Sequence, residues 1–182
     1  SEKDAMEVVS AAWNAGVRYF DTAPRYGNGL SEQRLGDALA GMPRDEITIS
    51  TKVGFLLDPA RPGRNGNCDV ICDFSRDAVL RSLEESCARL RIDRIDIALI
   101  HDPDYIDKDT GDNADRGTGN NFREVMEGAY PALDELRAAG SIGAIGLGMN
   151  QWPMLLDFAQ QGDFDCFMLA GRYTLLDQSA LP

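Results

Sequence analysis

Val17–Leu30, VRYFDTAPRYGNGL, passes from an apolar segment into a tight polar loop, and the rest of the chain repeats that transition. Val17, Tyr19 and Phe20 have the β-branched and aromatic character of a buried strand, and Asp21 closes it with a carboxylate that needs a partner if it stays buried. Tyr26 follows in a loop punctuated by Pro24, Gly27 and Gly29. Taken singly, Asp21 reads as a turn cap and Tyr26 as a half-buried aromatic; together they make a plausible start to an active site.

Working outward, the flanking segments are helical. Residues Asp4 to Ala15 carry Val9, Ala12 and Trp13 near helical spacing, with Gly16 as the expected left-handed terminator. After the loop, Ser31 is the expected N-cap of a second helix through Leu35 and Leu39, stopped by Gly41 and Pro43. A second strand, Glu46 to Lys52, sends Ile47 and Ile49 one way and Thr48 and Ser50 the other. Gly54 to Phe74 shifts to Pro, Gly, Asp and Asn and reads as a long loop, functional or disordered. Ser75 opens a helix with Val79, Leu83, Cys87 and Leu90 on one stripe. It leads to Arg94–Ile100, an apolar run typical of a parallel strand covered on both faces, which ends at His101, the only histidine.

Asp102 to Asn121 reads as a solvated lid rich in aspartate. Counted as a calcium loop from Asp107, its glycine falls at the wrong place and the terminal glutamate is missing. Helix resumes at Phe122, with Pro131 marking a break or a fresh first turn. Ser141–Asn150 is a fourth strand whose Gly146 and Gly148 suit close approach of neighbours better than a dinucleotide fingerprint. A helix from Pro153, a fifth strand from Cys166 to Ala170 and an exit loop from Gly171 to Pro182 complete the chain.

Five strands separated by helices imply an α/β fold with parallel pairing and right-handed crossovers. Ligands in such sheets bind at the carboxyl ends of the strands. Asp21, Lys52, His101 and Asn150 end successive strands there, with Tyr26 in the first loop. A free tyrosine has a pKa of about 10, and a nearby cation favours its phenolate. Lys52 is the candidate cation, Asp21 its partner, His101 a donor to a substrate oxygen, and Tyr26 the general acid and base for a carbonyl and alcohol pair. Hydride then comes from or goes to a cofactor.

Composition bounds the function. The chain has 182 residues and a net charge of -12, from 30 acids against 18 bases, which disfavours nucleic acid and anionic membranes as partners. No run approaches a membrane span and the first residues lack signal-peptide order, so a soluble cytoplasmic protein is expected. The four cysteines suit a reducing compartment, and Cys68 with Cys72 lacks the further ligands of a zinc site, so no metal is expected.

The motifs Asp21-Thr-Ala-x-x-Tyr26-Gly27, Ser50-Thr51-Lys52 and Ile100-His101 resemble those of the aldo-keto reductase superfamily in order and spacing. The resemblance implies a (β/α)8 TIM barrel, NADP or NAD as cofactor, and a catalytic tetrad falling on Asp21, Tyr26, Lys52 and His101. It assigns Asn150, together with Asp21, to cofactor binding. APRYGNGLSE, AYPALDELRAAGSIGAIGLGMN and LAGRYTLLDQ are similar to the branch that oxidises aldoses such as L-fucose at the anomeric carbon, and to pyridoxal 4-dehydrogenase. Relatives often carry Ser-Asn where Met149-Asn150 stands here, and a glutamine at the place of Ala170.

The resemblance runs from the family's first barrel helix to its sixth strand. Residues 1–182 are therefore expected to form one domain of about five β/α units, part of a barrel that takes roughly 250 residues. The partner implied is a small carbonyl or sugar substrate, with homo-oligomerisation left open. Two other classes fit the same rim: a catalytically silent cofactor-binding or regulatory subunit, and a Schiff-base aldolase using Lys52.

Overall fold

In a computed structural model, which describes residues 1–62, 68–104 and 120–181, five strands form one all-parallel sheet, side by side in chain order. The strands are β1 Tyr19–Asp21, β2 Thr48–Val53, β5 Ile95–His101, β6 Ile142–Met149 and β7 Cys166–Leu169. The helices are α1 Glu2–Asn14, α2 Leu30–Leu39, α3 Arg76–Leu90, α4 Asn120–Glu124, α5 Tyr130–Ala138 and α6 Trp152–Gln161. The expected alternation is therefore present. Sequential strands lie side by side with helical crossovers, which gives the curved half-barrel of an (β/α)8 fold.

The core lies between the sheet and its helices. Val79 and Leu83 of α3, Leu133 of α5 and Phe158 of α6 pack on Ile95, Ala98, Ile145 and Leu147 of the central strands. A second cluster joins Phe20, Ile47, Ile49 and Leu90 to Leu35 and Leu39 of α2, with Trp13 of α1 against it. Each fully buried large side chain contributes about 1.5–3 kcal/mol. The α3 stripe is buried at Val79, Leu83 and Leu90, as its period predicts, and Ser75 caps the helix by accepting from the Ala78 N–H.

Several expectations need correction. Val17 and Tyr19 are exposed and only Phe20 is buried, because β1 is an outermost strand among the described residues. Ser31 is not the N-cap: left-handed Gly27, Asn28 and Gly29 tighten the loop so that α2 begins at Leu30, and Ser31 instead hydrogen-bonds the Thr22 hydroxyl at 2.9 Å. Residues 54–74 are not a mere loop. Phe55–Pro62 (β3) and Cys68–Cys72 (β4) form an antiparallel hairpin whose Phe55 and Leu56 are buried. It leaves β2 through Gly54, where φ is 105° and a Cβ would lie 2.2 Å from the Phe74 ring, so glycine is required there. Of the two expectations for Pro131, the fresh first turn holds: it lies in the first turn of α5, and no break precedes it. A π-helical turn, Val125–Ala129, carries α4 into α5, and this wider turn accommodates the proline that follows.

The hypothetical calcium count from Asp107 and most of the expected lid fall outside the described residues. Gly146 behaves as expected, with a Cβ there meeting the Cys166 carbonyl oxygen at 2.3 Å. No described helix is long and apolar enough to cross a membrane, and no cluster of metal-ligating side chains occurs among the described residues.

Candidate active site

Parallel pairing brings the carboxyl ends of β1, β2, β5 and β6 to one rim, since Asp21 lies opposite Ser50, Lys52 opposite Leu99 and His101 opposite Gly148. Lys52 is only 2% exposed, and a buried ammonium without a partner costs several kcal/mol. Its Nζ donates to Asp21 Oδ2 at 2.6 Å and to the Thr22 carbonyl at 2.8 Å. Asp21 is fixed from the other side, where the Ser50 hydroxyl donates to its Oδ1 at 2.6 Å and in turn bonds the Tyr19 hydroxyl at 2.9 Å. The lysine stem passes Gly148, where an added Cβ would already touch Cε at 3.4 Å.

Tyr26 stands over this pair. The Lys52 ammonium lies 4.8 Å from its ring centroid, and the ring meets the His101 imidazole edge to face at 5.6 Å. Phe55 makes a second T-shaped contact with His101, at 5.4 Å. Enclosure pushes the His101 pKa down to about 3, first by burial and then by the positive charges of Lys52 and Arg25. The imidazole is thus neutral near pH 7 and has one N–H to give. Its Nδ1 is buried with no hydrogen-bond partner among the described residues, whereas Nε2 faces the Asp102 carboxylate at 3.7 Å. That environment favours the proton on Nε2.

A cavity of about 420 Å³ opens beside these groups, lined by Tyr26, Lys52, His101, Gly148, Asn150 and Met168 among others. All four proposed tetrad residues therefore meet at the rim, and three of them line one cavity with Asn150. Larger hollows at the N-terminal end of the sheet and along α1 contain none of Lys52, His101 and Asn150, although one beside α1 reaches Asp21 and Tyr26. Behind β2, Thr51 points the opposite way from Lys52 and donates to fully buried Glu32 at 2.5 Å, which also takes Arg89 Nε at 2.6 Å. This pair of contacts ties β2 to α2 and α3 and steadies the strand that carries Lys52.

Sequence reasoning missed four contributors. Ser50 orients Asp21. Arg25 lies 4.7 Å over the Phe55 ring and 4.0 Å from Asp102, and both Arg25 and Asp102 line the cavity. Phe55 was hidden by the composition of its loop. Arg25 and Asp102 adjoin Tyr26 and His101 in sequence, which is the signal that could have found them.

Comparison with known proteins agrees with this geometry. The profile of the aldo/keto reductase family matches residues 1–181. The chain is 40% identical to D-threo-aldose 1-dehydrogenase of a Pseudomonas species, over 99% of this chain and 54% of the relative. It is 41% identical to pyridoxal 4-dehydrogenase of Microbacterium luteolum, over 98% of this chain and 55% of the relative. A solved structure from Pseudomonas aeruginosa assigned to the aldo-keto reductases superposes with a TM-score of 0.68 at 30% identity, covering 93% of this chain and 56% of that one. The chain thus spans about half the length of the curated relatives it matches.

Proposed function

The chain belongs to the aldo/keto reductase family, and from that premise we propose that the full-length protein is an NADP- or NAD-dependent oxidoreductase that interconverts an aldose hemiacetal, or a related small alcohol, with its lactone or carbonyl product. In this reading residues 1–182 are one domain, part of an eight-unit barrel. The observation that carries it is the Tyr26, Lys52, Asp21 and His101 constellation around one cavity.

Asn150 suits the cofactor's carboxamide, because its own amide offers both a donor and an acceptor at the cavity edge. The adjoining lining, from Gly148, Met149 and Met168, is uncharged and accepts a flat ring. A bound nicotinamide supplies or accepts the hydride. Tyr26 takes the proton from the substrate oxygen during oxidation and returns it during reduction. The Lys52 ammonium stabilises negative charge as it develops on the phenol oxygen, and Asp21 holds that ammonium in place. His101 donates from Nε2 to the substrate oxygen and so fixes its approach to Tyr26.

A Schiff-base aldolase is disfavoured by Lys52 itself, which is buried and bound to Asp21 rather than presented to a carbonyl. The test is to incubate full-length protein with NAD+ or NADP+ and a panel of L-fucose, other aldoses and pyridoxal, following absorbance of the reduced nicotinamide. Turnover with a panel member is expected. Cofactor binding without turnover of any member would contradict the reading and favour a silent subunit.

A further inference from the structure

Ser31 and Glu32, in the first turn of α2, bond to Tyr26 and to the residues that adjoin Asp21 and Lys52. The Ser31 N–H donates to the Tyr26 carbonyl at 3.2 Å, and the Ser31 hydroxyl bonds the Thr22 hydroxyl at 2.9 Å. Thr22 follows Asp21, and its carbonyl is the second acceptor of the Lys52 ammonium, at 2.8 Å. Glu32 accepts at 2.5 Å from Thr51, the residue before Lys52. Two neighbouring residues thus tie the loop after β1 to the ends of β1 and β2.

The tie is buried. Glu32 and Thr51 are fully enclosed, and Thr22 nearly so. A carboxylate at that depth needs a cation, and Arg89 of α3 supplies it, donating from Nε to Oε2 at 2.6 Å. Arg89 donates in turn to the Ser86 hydroxyl at 3.2 Å. Its stem is also the seat of the loop that carries Tyr26: a Cβ at Gly29, where φ is 85°, would stand 2.9 Å from Arg89 Cδ and 3.1 Å from Leu57 Cδ1. The arginine that neutralises Glu32 therefore supports the loop from below. None of Ser31, Glu32, Thr51 and Arg89 lines the cavity shared by Lys52, His101 and Asn150, so an effect of theirs on turnover passes through other residues.

We infer that Ser31 and Glu32 are positioning residues, a clamp at the start of α2 that fixes the Tyr26 phenol relative to the Lys52 ammonium. Tyr26 stands on a loop and Lys52 on a strand, with 4.8 Å between the ammonium and the ring centroid. The clamp sets that separation by holding both from a third element. A misplacement of about 1 Å between reacting groups costs on the order of 10²-fold in rate, so loosening the clamp weakens the proton-transfer step while the groups that hold cofactor and substrate keep their places.

The inference rests on the proposed oxidoreductase reading, and the experiment separates the two. Removing Glu32 would leave Arg89 as a buried charge without its carboxylate, so the hydroxyls are removed instead. Full-length wild type, Thr51→Val, Thr51→Ser and Ser31→Ala are assayed with oxidised nicotinamide cofactor on a panel member that the protein turns over, with cofactor affinity measured by fluorescence titration. Thr51→Val is expected to lower kcat by about 10- to 100-fold, with KM and cofactor affinity within about threefold of wild type. Thr51→Ser, which keeps the hydroxyl, is expected to return kcat to within about threefold of wild type. Ser31→Ala, at a half-buried position, is expected to lower kcat by about 3- to 10-fold in the same pattern, and it decides the matter if Thr51→Val fails to fold. Wild-type kcat in Thr51→Val and Ser31→Ala, per molecule able to bind cofactor, overturns the inference and leaves the oxidoreductase reading standing. Losses shared between kcat, KM and cofactor affinity also overturn it, because they mark a structural role only. Absence of turnover by wild type on any panel member removes the reading, and the inference with it.

Discussion

The two ends of the parallel sheet hold charged residues in opposite ways. At the N-terminal end, Asp96 accepts the Ile49 N–H at 2.8 Å and Arg44 at 2.7 Å with the same oxygen. Asp165 repeats the device, accepting the Ile145 N–H and Arg137, each at 2.8 Å. In both cases an aspartate at the start of one strand satisfies an N–H of its neighbour and is itself neutralised by an arginine. At the C-terminal rim, Lys52 is buried against Asp21, the Asp102 carboxylate stands 3.7 Å from His101 Nε2, and His101 Nδ1 has no partner among the described residues. One end is satisfied and serves stability; the other keeps unspent hydrogen-bonding capacity, as a site for substrate must.

The largest effect that would sharpen this contrast is on turnover. Lys52→Met, in the full-length protein, is expected to reduce kcat by about 10²- to 10⁴-fold in an assay of nicotinamide reduction. A comparable loss from Asp96→Ala, measured per folded molecule, would break the division between the two ends.

Next is the dependence of stability on pH. His101 has its pKa lowered from 6.5 to about 3, so between those values the unfolded chain binds the proton more readily than the folded one. Stability from this group is present above about pH 6.5 and is lost as pH falls toward 3. The change is a few kcal/mol, and His101→Gln should flatten that part of a urea-denaturation profile. At the other end, burial pushes the Asp165 carboxyl up, but the Ile145 N–H and Arg137 outweigh it and the net pKa lies below 3.8. Its stabilisation is present above about 3.8 and is lost only below that value, so the rim should weaken first on acidification.

A smaller effect is expected from Asp96→Ala, which leaves the Ile49 N–H without its acceptor and takes the carboxylate from Arg44, and should cost about 1–3 kcal/mol in chemical denaturation while leaving kcat within about twofold. Smallest of all, Arg76→Ala removes an exposed pair with Glu135 at 2.7 Å and should change stability by no more than about 1 kcal/mol. A larger loss there would show that surface pairs contribute more than the two aspartate devices allow.

How much of this was legible in the sequence follows the same division. Alternation of apolar strands and striped helices is local, and it foretold the parallel sheet and the convergence of Asp21, Tyr26, Lys52 and His101, because residues that end adjacent parallel strands share a rim. The hairpin was not legible: Pro59, Pro62 and the glycines and aspartates around them mask a pairing that depends on Phe55 and Leu56 finding cover. Ser31 was misplaced as a cap because three successive left-handed residues are a property of backbone geometry rather than of composition. Arg25 and Asp102 carry no local sign beyond standing next to Tyr26 and His101 in the sequence. Their spacing arises only when the loop after β1 and the turn after β5 are set beside each other.

The central claim is that Tyr26 moves the proton while other groups hold the cofactor. It is tested most directly by Tyr26→Phe in the full-length protein, measuring nicotinamide cofactor affinity by fluorescence titration alongside steady-state turnover. Cofactor affinity within about threefold of wild type, with turnover reduced at least ~10³-fold, is the predicted result. Turnover close to that of wild type in this variant would contradict it.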